Sequence, residues 1–214
     1  MEYINSTISA PGIIEEVITN LKKNFFEAIF IKNKVEARDY ILNQIYPGMK
    51  IAFGGSMTAR SMEIQSYSKD RGAIVLDHGI AGYSQSQKIE IMRKQLTSDI
   101  FISSTNAITK HGHLVNVDGN GNRVASMIFG PKKVIIVAGL NKIVHSEEEA
   151  FKRIEFVAAP LNMKRLSRRT PCAEDGICHD CTCIERGCRA YTILKKRPAL
   201  TPTEIIIVGE MLGM

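Results

Sequence analysis

The chain contains no tryptophan, and none of its five cysteines falls before position 172. A nucleic-acid surface shows a basic stripe interleaved with aromatic platforms. Here the basic runs KNKVEAR (32–38), MKRLSRR (163–169) and LKKRP (194–198) carry no aromatic residue, so nucleic acid is not an expected partner. No apolar run reaches the ~18–20 residues that span a bilayer, so no membrane segment is expected. The start, MEYINSTISAPGIIEEV, has neither a basic opening nor an apolar h-region and does not read as a secretory leader. The expectation is a cytoplasmic protein whose thiols stay reduced. Neither G-x-x-x-x-G-K nor G-x-G-x-x-G occurs, which leaves nucleotide and dinucleotide readings unsupported. Internal repeats and low-complexity linkers are also missing.

What is present suits one α/β domain over residues 1–214. A chain of 214 residues that is 44% hydrophobic can bury a core without staples. Its net charge of +6 favours a small anionic ligand or an acidic partner.

Apolar residues Ile13, Ile14, Val17, Ile18 and Leu21 share a helical face. FEAIFI (26–31) reads as a strand, and NKVEARDYILNQI (33–45) returns to helical spacing. A Pro-Gly turn then leads into a strand over 49–53. TARSMEIQSYS (58–68) reads as a helix, GAIVLD (72–77) as a strand, SQSQKIEIMRKQL (84–96) as a helix and DIFISS (99–104) as a strand. KKVIIVAG (132–139) is apolar almost throughout, as in a strand covered on both faces. In HSEEEAFKRIEFVAA (145–159), Ser146 and Glu149 form a capping box for a helix that turns Ala150, Ile154 and Val157 inward. YTILKK (191–196) and TEIIIVGE (203–210) are the final strands. Strands alternating with helices of about 10–15 residues imply βαβ units and a mostly parallel sheet flanked by helices.

Two stretches have the composition of a ligand site. In IAFGGSMT (51–58), a strand ends at Gly54-Gly55, and Ser56 and Thr58 open a helix. Glycines permit close backbone approach, helix amides favour an anion, and open α/β sheets bind ligands at strand C-termini. The same residues also make a tight turn capped by Ser56 or Thr58, and the motif leaves both readings open. The second stretch is SSTNAITKHGHLVNVDGNGNRVAS (103–126). Its DGNGN puts Asp118, Asn120 and Asn122 at positions 1, 3 and 5 of a calcium loop, but Arg123 and Phe129 stand where that loop needs Gly and Glu. A turn is the better reading, with HLVNV as one arm of a hairpin. His111 and His113 would share a face of that arm, without an identifiable third ligand. Arg123 suits an anionic substrate group or a surface ion pair. Asn106, Asp118, Asn122 and Arg123 would complete a pocket with the glycine loop. For acid–base work the candidates are Asp118 and, more weakly, Lys110.

The five cysteines lie together as Cys172-x5-Cys178-x2-Cys181-x-Cys183-x4-Cys188. Compartment and odd count disfavour disulfides, and the segment is too polar for core cysteines. That leaves a metal, zinc or an iron–sulfur cluster, on four thiolates. Cys178 and Cys181 make the best pair. The expected ligands are Cys172, Cys178, Cys181 and Cys188, with Cys183 spare, inside a metal-binding insertion at 170–189. The spacing does not choose iron over zinc.

Together, AFGGSMT, NAIT..G.LVN.DG.GNRVA, FGPKKVI.V.G.NK and APLN.KR....PC...G.C.DC......C resemble the lactate-utilisation (LUD) domain family, the DUF162 group, in its short stand-alone form. The resemblance runs from about residue 11 to Gly213. It implies a fold similar to ribose-5-phosphate isomerases, glucosamine-6-phosphate deaminases and CoA transferases. It also implies a role in organic-acid (lactate) utilisation beside iron–sulfur proteins, which favours an iron–sulfur cluster over Zn2+ and an iron–sulfur oxidoreductase as partner. The family's recurring cysteines fall on Cys172, Cys178, Cys181 and Cys188. One departure is Lys110-His111, where relatives usually carry acidic residues, so glutamate chemistry of the CoA-transferase kind is not expected there. The alternatives are a sugar-phosphate isomerase or CoA-transferase-like enzyme with structural zinc, and a non-catalytic subunit docking an iron–sulfur oxidoreductase. A homo-oligomer is compatible with each.

Overall fold

A computed structural model describes residues 12–214. Residues 1–11, where the leader reading rests, lie outside them. In chain order the strands are β1 (Glu27–Ile31), β2 (Lys50–Phe53), β3 (Ile74–Asp77), β4 (Ile100–Ser103), β5 (Ala107–Thr109), β6 (Leu114–Asp118), β7 (Lys133–Gly139), β8 (Ile143–Val144), β9 (Ala190–Leu194) and β10 (Thr203–Val208). Six of them form a wholly parallel sheet in the order β1-β10-β7-β4-β2-β3. The other four form a mixed sheet, β8-β5-β6-β9. The architecture is α/β, as the alternation of strands and helices implied.

Strand side chains alternate between two faces, and here both faces are covered. Ile51, Phe53, Ile100, Ile102, Ile135, Val137, Ile206 and Val208 enter one buried cluster, with Ala37 and Ile41 of the helix Lys34–Leu42. Their neighbours Ala52, Phe101, Val134, Ile136, Ile205 and Ile207 enter another, with Val17 and Leu21 of the helix Ile13–Lys23. Ala52 lies in register beside Phe101, where its small side chain leaves room for the ring.

The connections place a crevice. β2 continues outward to β3 at one edge, while β4 is followed by β7 on its other side. Such a reversal opens a gap beyond the strand C-termini, here past Phe53 and Ser103.

Three local expectations are corrected. The stretch 58–68 is two helices, Met57–Ser61 and Ile64–Asp70, parted by Glu63 at φ 55°. The break lets both Met62 and Ile64 reach the core, which one continuous helix face cannot do for residues two apart. The DGNGN turn leads into the helix Asn122–Ile128 rather than a second hairpin arm. β6 pairs instead with β5 before it, through Lys110-His111-Gly112, and with β9. Finally, the helix Glu147–Arg153 passes through a π turn, Ile154–Ala158, into the helix Ala159–Arg165. The Ala159 amide reaches back five residues to Ile154, and the extra residue turns Ala158 rather than Val157 inward. Ser146 caps this helix through the Glu149 amide, while the Glu149 carboxylate takes the amide of His145 rather than that of Ser146.

Among the described residues no helix is long and apolar enough to cross a membrane.

Candidate functional site

A large cleft opens at the crevice. Gly54, Gly55, Ser56 and Thr58 line it from the end of β2, and Asn106, Asp118, Asn122 and Arg123 line it from the other motif. The structure therefore gathers in one place eight residues that lie far apart in the chain. Lys110 does not join them. It sits in the β5–β6 turn, where Asn20 Nδ2 donates to its carbonyl, at the far end of β6 from Asp118. His111 and His113 lie in or beside that turn too, and His113 Nδ1 meets Glu147 Oε1 at 2.8 Å.

The glycine loop is a capped turn. Ser56 Oγ accepts the Ala59 amide at 3.2 Å, and the helix it opens has five residues. Gly54 lies so near β4 that a Cβ there would stand 2.6 Å from Ser103 Oγ and 2.8 Å from Phe101 Cζ. The loop is thus pressed onto the sheet and shapes the cleft wall.

Arg123 is neither a free substrate cation nor a surface partner. Its Nη1 donates to the Ser104 carbonyl and to Asn116 Oδ1, its Nη2 to Asn106 Oδ1 and the Val117 carbonyl. Asp118 Oδ2 lies 3.7 Å from its Nε. The guanidinium therefore ties β4, β6 and Asn106 together, and burial pulls its proton affinity down. Asp118 is similarly engaged. Its Oδ1 accepts the amides of Asn120 and Gly121, and its Oδ2 the amide of Val124, each at 3.2 Å. It caps the helix that carries Arg123.

Residues not singled out in the sequence complete the cleft. Arg60, Lys88, Lys142, Arg165, Arg168, Arg186 and Arg189 line it with Arg123, against the carboxylates of Asp118 and Glu185. Such a surface attracts anions. His78, just past β3, faces Gly55: a Cβ on Gly55 would stand 3.6 Å from His78 Nε2. Burial lowers the His78 pKa. Beside it, Asp77 takes both of its Arg60 contacts from Nη2, at 3.0 and 2.8 Å. Lys142 is buried at 4% exposure, and burial, then Arg153 and Arg123, bring its ammonium down to about 7. It ends the FGPKKVI.V.G.NK motif, and only its place after β7 reveals it. His78 carried no signal beyond following a strand.

The cysteine loop forms the neighbouring wall. Between the helix Ala159–Arg165 and β9, only Pro171–Asp175 is regular. Cys172, Cys178, Cys181 and Cys188 line one small cavity, together with His179 and Asp180; Cys183 does not line it. Arg186 brackets the loop: its Nε donates to the Cys188 carbonyl at 2.7 Å, its Nη1 to the Cys181 carbonyl at 2.6 Å, and its Nη2 pairs with Asp180. Burial raises the Cys188 thiol to about 11. A hydrogen bond with the Cys181 thiol raises that of Cys183. Among the described residues no three His, Cys, Asp or Glu side chains are already gathered around a metal position. The donor set suits a thiophilic metal, and closing it requires the loop to draw in. Ala159, Met163, Arg186, Gly187 and Cys188 line both the thiol cavity and the cleft.

Fold and site together define an α/β protein with a basic cleft at its strand ends and a thiol-rich loop as one wall. The chain belongs to the LUD domain family, whose model matches residues 14–208. The crystal structure of a DUF162 family protein from Deinococcus radiodurans is similar in fold, with a TM-score of 0.53 and 13% sequence identity over 92% of this chain and 96% of that one. A crystal structure of eIF2B beta from Chaetomium thermophilum aligns more loosely, with a TM-score of 0.38 and 13% identity over 63% of this chain and 47% of that one. No curated protein matches.

Proposed function

We propose that the protein serves organic-acid (lactate) utilisation by binding a small anionic substrate in the cleft, next to a metal centre on Cys172, Cys178, Cys181 and Cys188. The observation that carries this reading is the shared wall: Cys188 and Gly187 line both the thiol cavity and the basic cleft. A centre held there would lie beside the bound anion. An iron–sulfur cluster, favoured by the family resemblance, would supply electron transfer, and zinc would supply a cross-link for the loop. Partner iron–sulfur oxidoreductase subunits fit the electron-transfer version.

The isomerase or CoA-transferase-like alternative has less support, because the Asp118 carboxylate is engaged by three backbone amides. A base needs a lone pair aimed at its substrate.

Anaerobic purification with metal analysis and a visible spectrum tests the metal half. Iron with sulfide and a visible charge-transfer band supports the cluster. Stoichiometric zinc without that band restricts the loop to a structural role. Protein that takes up neither removes the metal reading. Calorimetric titration with lactate and pyruvate tests the cleft half, and the absence of binding overturns it.

A further inference from the structure

We propose that Arg60 and His78 divide the recognition of the bound acid: a free guanidinium N–H of Arg60 takes the carboxylate, and the Nε2–H of His78 donates to an oxygen on the neighbouring carbon. The ligand class is then a 2-oxo or 2-hydroxy acid. This rests on the cleft being the organic-acid site proposed above, and it names the two side chains that read the acid.

Both side chains line the cleft, and each is fixed from behind by a buried group. Asp77, 3% exposed, receives Arg60 through Nη2 alone. The same carboxylate accepts the Gly79 amide at 2.8 Å. Gly79 lies so close to the guanidinium that a Cβ there would stand 2.3 Å from Nη2. Arg60 therefore rests against the backbone one residue past His78. Its Nη1 and Nε have no hydrogen-bond partner among the described residues, and its side chain is 34% exposed.

His78 is held by Gln95, 0% exposed, whose Nε2 meets Nδ1 at 3.1 Å. Gln95 is itself held by the carbonyls of Phe53 and Leu76, near the ends of β2 and β3. An amide nitrogen offers hydrogens only, so Nδ1 accepts and the ring proton lies on Nε2. That N–H has no partner among the described residues. It faces Gly55, whose φ is 71° and where a Cβ would stand 3.6 Å from Nε2. Glycine at that position keeps the N–H open to the cleft.

The two donors differ in charge. Arginine stays cationic and pairs best with an ionised oxygen. Asp77 occupies one of its nitrogens and leaves two for a second carboxylate. His78, which burial keeps neutral at pH 7, offers a hydrogen without a charge and suits a carbonyl or hydroxyl oxygen. A cation and a neutral donor on adjoining backbone fit one acid that carries a charged and an uncharged oxygen on neighbouring carbons. A donor of this kind also rejects an analogue that would leave it unpaired.

The test is calorimetric titration of the full chain with pyruvate, lactate and propionate near neutral pH, propionate lacking the C2 oxygen. Wild-type protein should bind pyruvate at least about tenfold more tightly than propionate, the scale of one unpaired hydrogen bond. His78→Phe should bind the two alike. His78→Gln, whose amide places an N–H near that of Nε2, should restore part of the preference. Arg60→Lys keeps a cation for buried Asp77 but withdraws the guanidinium. It should weaken all three acids by a similar factor, about tenfold or more, and leave the preference for pyruvate in place. Thermal melting of each variant separates lost recognition from lost folding, and the His78 variants decide the C2 contact whatever Arg60→Lys does. Equal binding of pyruvate and propionate by wild type, or a preference that survives in folded His78→Phe, overturns the role of His78 while leaving the cleft an organic-acid site. Undiminished acid binding by Arg60→Lys overturns the carboxylate assignment. Wild-type protein that binds none of the three acids overturns the cleft reading itself, and this inference with it.

Discussion

Gln95 Nε2 stands 3.1 Å from His78 Nδ1. An amide nitrogen only donates, so the histidine nitrogen accepts and the ring proton sits on Nε2. The same amide also faces the Phe53 and Leu76 carbonyls, at 2.9 and 3.0 Å, so its two hydrogens are shared among three acceptors, and the carbonyls hold the glutamine in this orientation. His78 thus presents an N–H toward the Gly54–Gly55 loop, and burial lowers its pKa. The prediction is a neutral His78 with its proton on Nε2 at pH 7, titrating below the ordinary ~6.5. Nitrogen-15 NMR of the imidazole reads tautomer and charge directly. A ring protonated at neutral pH, or carrying its proton on Nδ1, contradicts the assignment.

Asp118 offers a second test. Asp118→Asn keeps the shape of the residue but exchanges one acceptor oxygen for a donor, so at least one of the amides of Asn120, Gly121 and Val124 loses its partner. The loss of a charge-assisted cap facing buried Arg123 should cost about 1–3 kcal/mol. The melting temperature should fall by several degrees, while organic-acid affinity stays within a few-fold of wild type. Unchanged stability together with abolished turnover would instead make Asp118 a catalytic residue.

The cysteine loop makes a prediction about reactivity. Burial raises the Cys188 thiol to about 11, and only the thiolate attacks an alkylating reagent. In metal-free, reduced protein at pH 8, Cys188 should be the last of the four cavity cysteines to react with iodoacetamide. Site-resolved mass spectrometry over time measures this. Arg186→Ala frees the Cys181 and Cys188 carbonyls and also removes a positive charge that favours the Cys188 thiolate. Burial is the larger cause of the raised thiol, so opening the loop should still bring Cys188 forward. Early modification of Cys188 in the parent protein would mean that the loop does not shield it.

Much of this molecule is legible in the sequence, for identifiable reasons. β7 and β10 are continuous apolar runs because both faces of the parallel sheet are covered, and periodicity suffices to find them. The Gly54–Thr58 loop is visible because a strand, a glycine pair and a capping serine leave few alternatives. What stays hidden depends on tertiary partners. Lys142 looks like any lysine after a strand until Arg153 and Arg123 are seen beside it. Arg123 could bind a ligand or a neighbour, and only the carbonyls of Ser104 and Val117 and the side chains of Asn106 and Asn116 decide for the neighbour. The DGNGN turn reads as part of a hairpin because turn chemistry is local. Its outcome as a helix start depends on Asp118 reaching the Val124 amide.

The far end of the sheet carries a polar cluster that the cleft does not use, and it yields an asymmetric prediction. Glu204 is buried, its side chain 3% exposed, while that of Lys133 is 30% exposed. Lys133 Nζ approaches Glu204 Oε2 at 2.7 Å, Tyr40 donates its hydroxyl to Glu204 Oε1 at 2.6 Å, and Gln44 Nε2 lies 3.3 Å from Oε2. Lys133→Met leaves a buried carboxylate without its cation, which costs about 3–5 kcal/mol for a fully buried pair and less here because one partner is partly hydrated. Glu204→Gln leaves an amine that water can reach, so it should cost less. Urea denaturation of the two variants should therefore rank Lys133→Met as the more damaging. The hydrogen bond to Glu204, with burial behind it, raises the Tyr40 phenol to about 12 from 10.0. The folded state then holds that proton more tightly than the unfolded chain. Its contribution to stability is complete below pH 10 and is lost as pH rises toward 12. Phenolate absorbance should show one tyrosine titrating late in the wild type and moving back toward 10 in Glu204→Gln. A Tyr40 titration that does not respond to Glu204→Gln, or the opposite order of stabilities, would mean that the carboxylate is not the centre of the cluster.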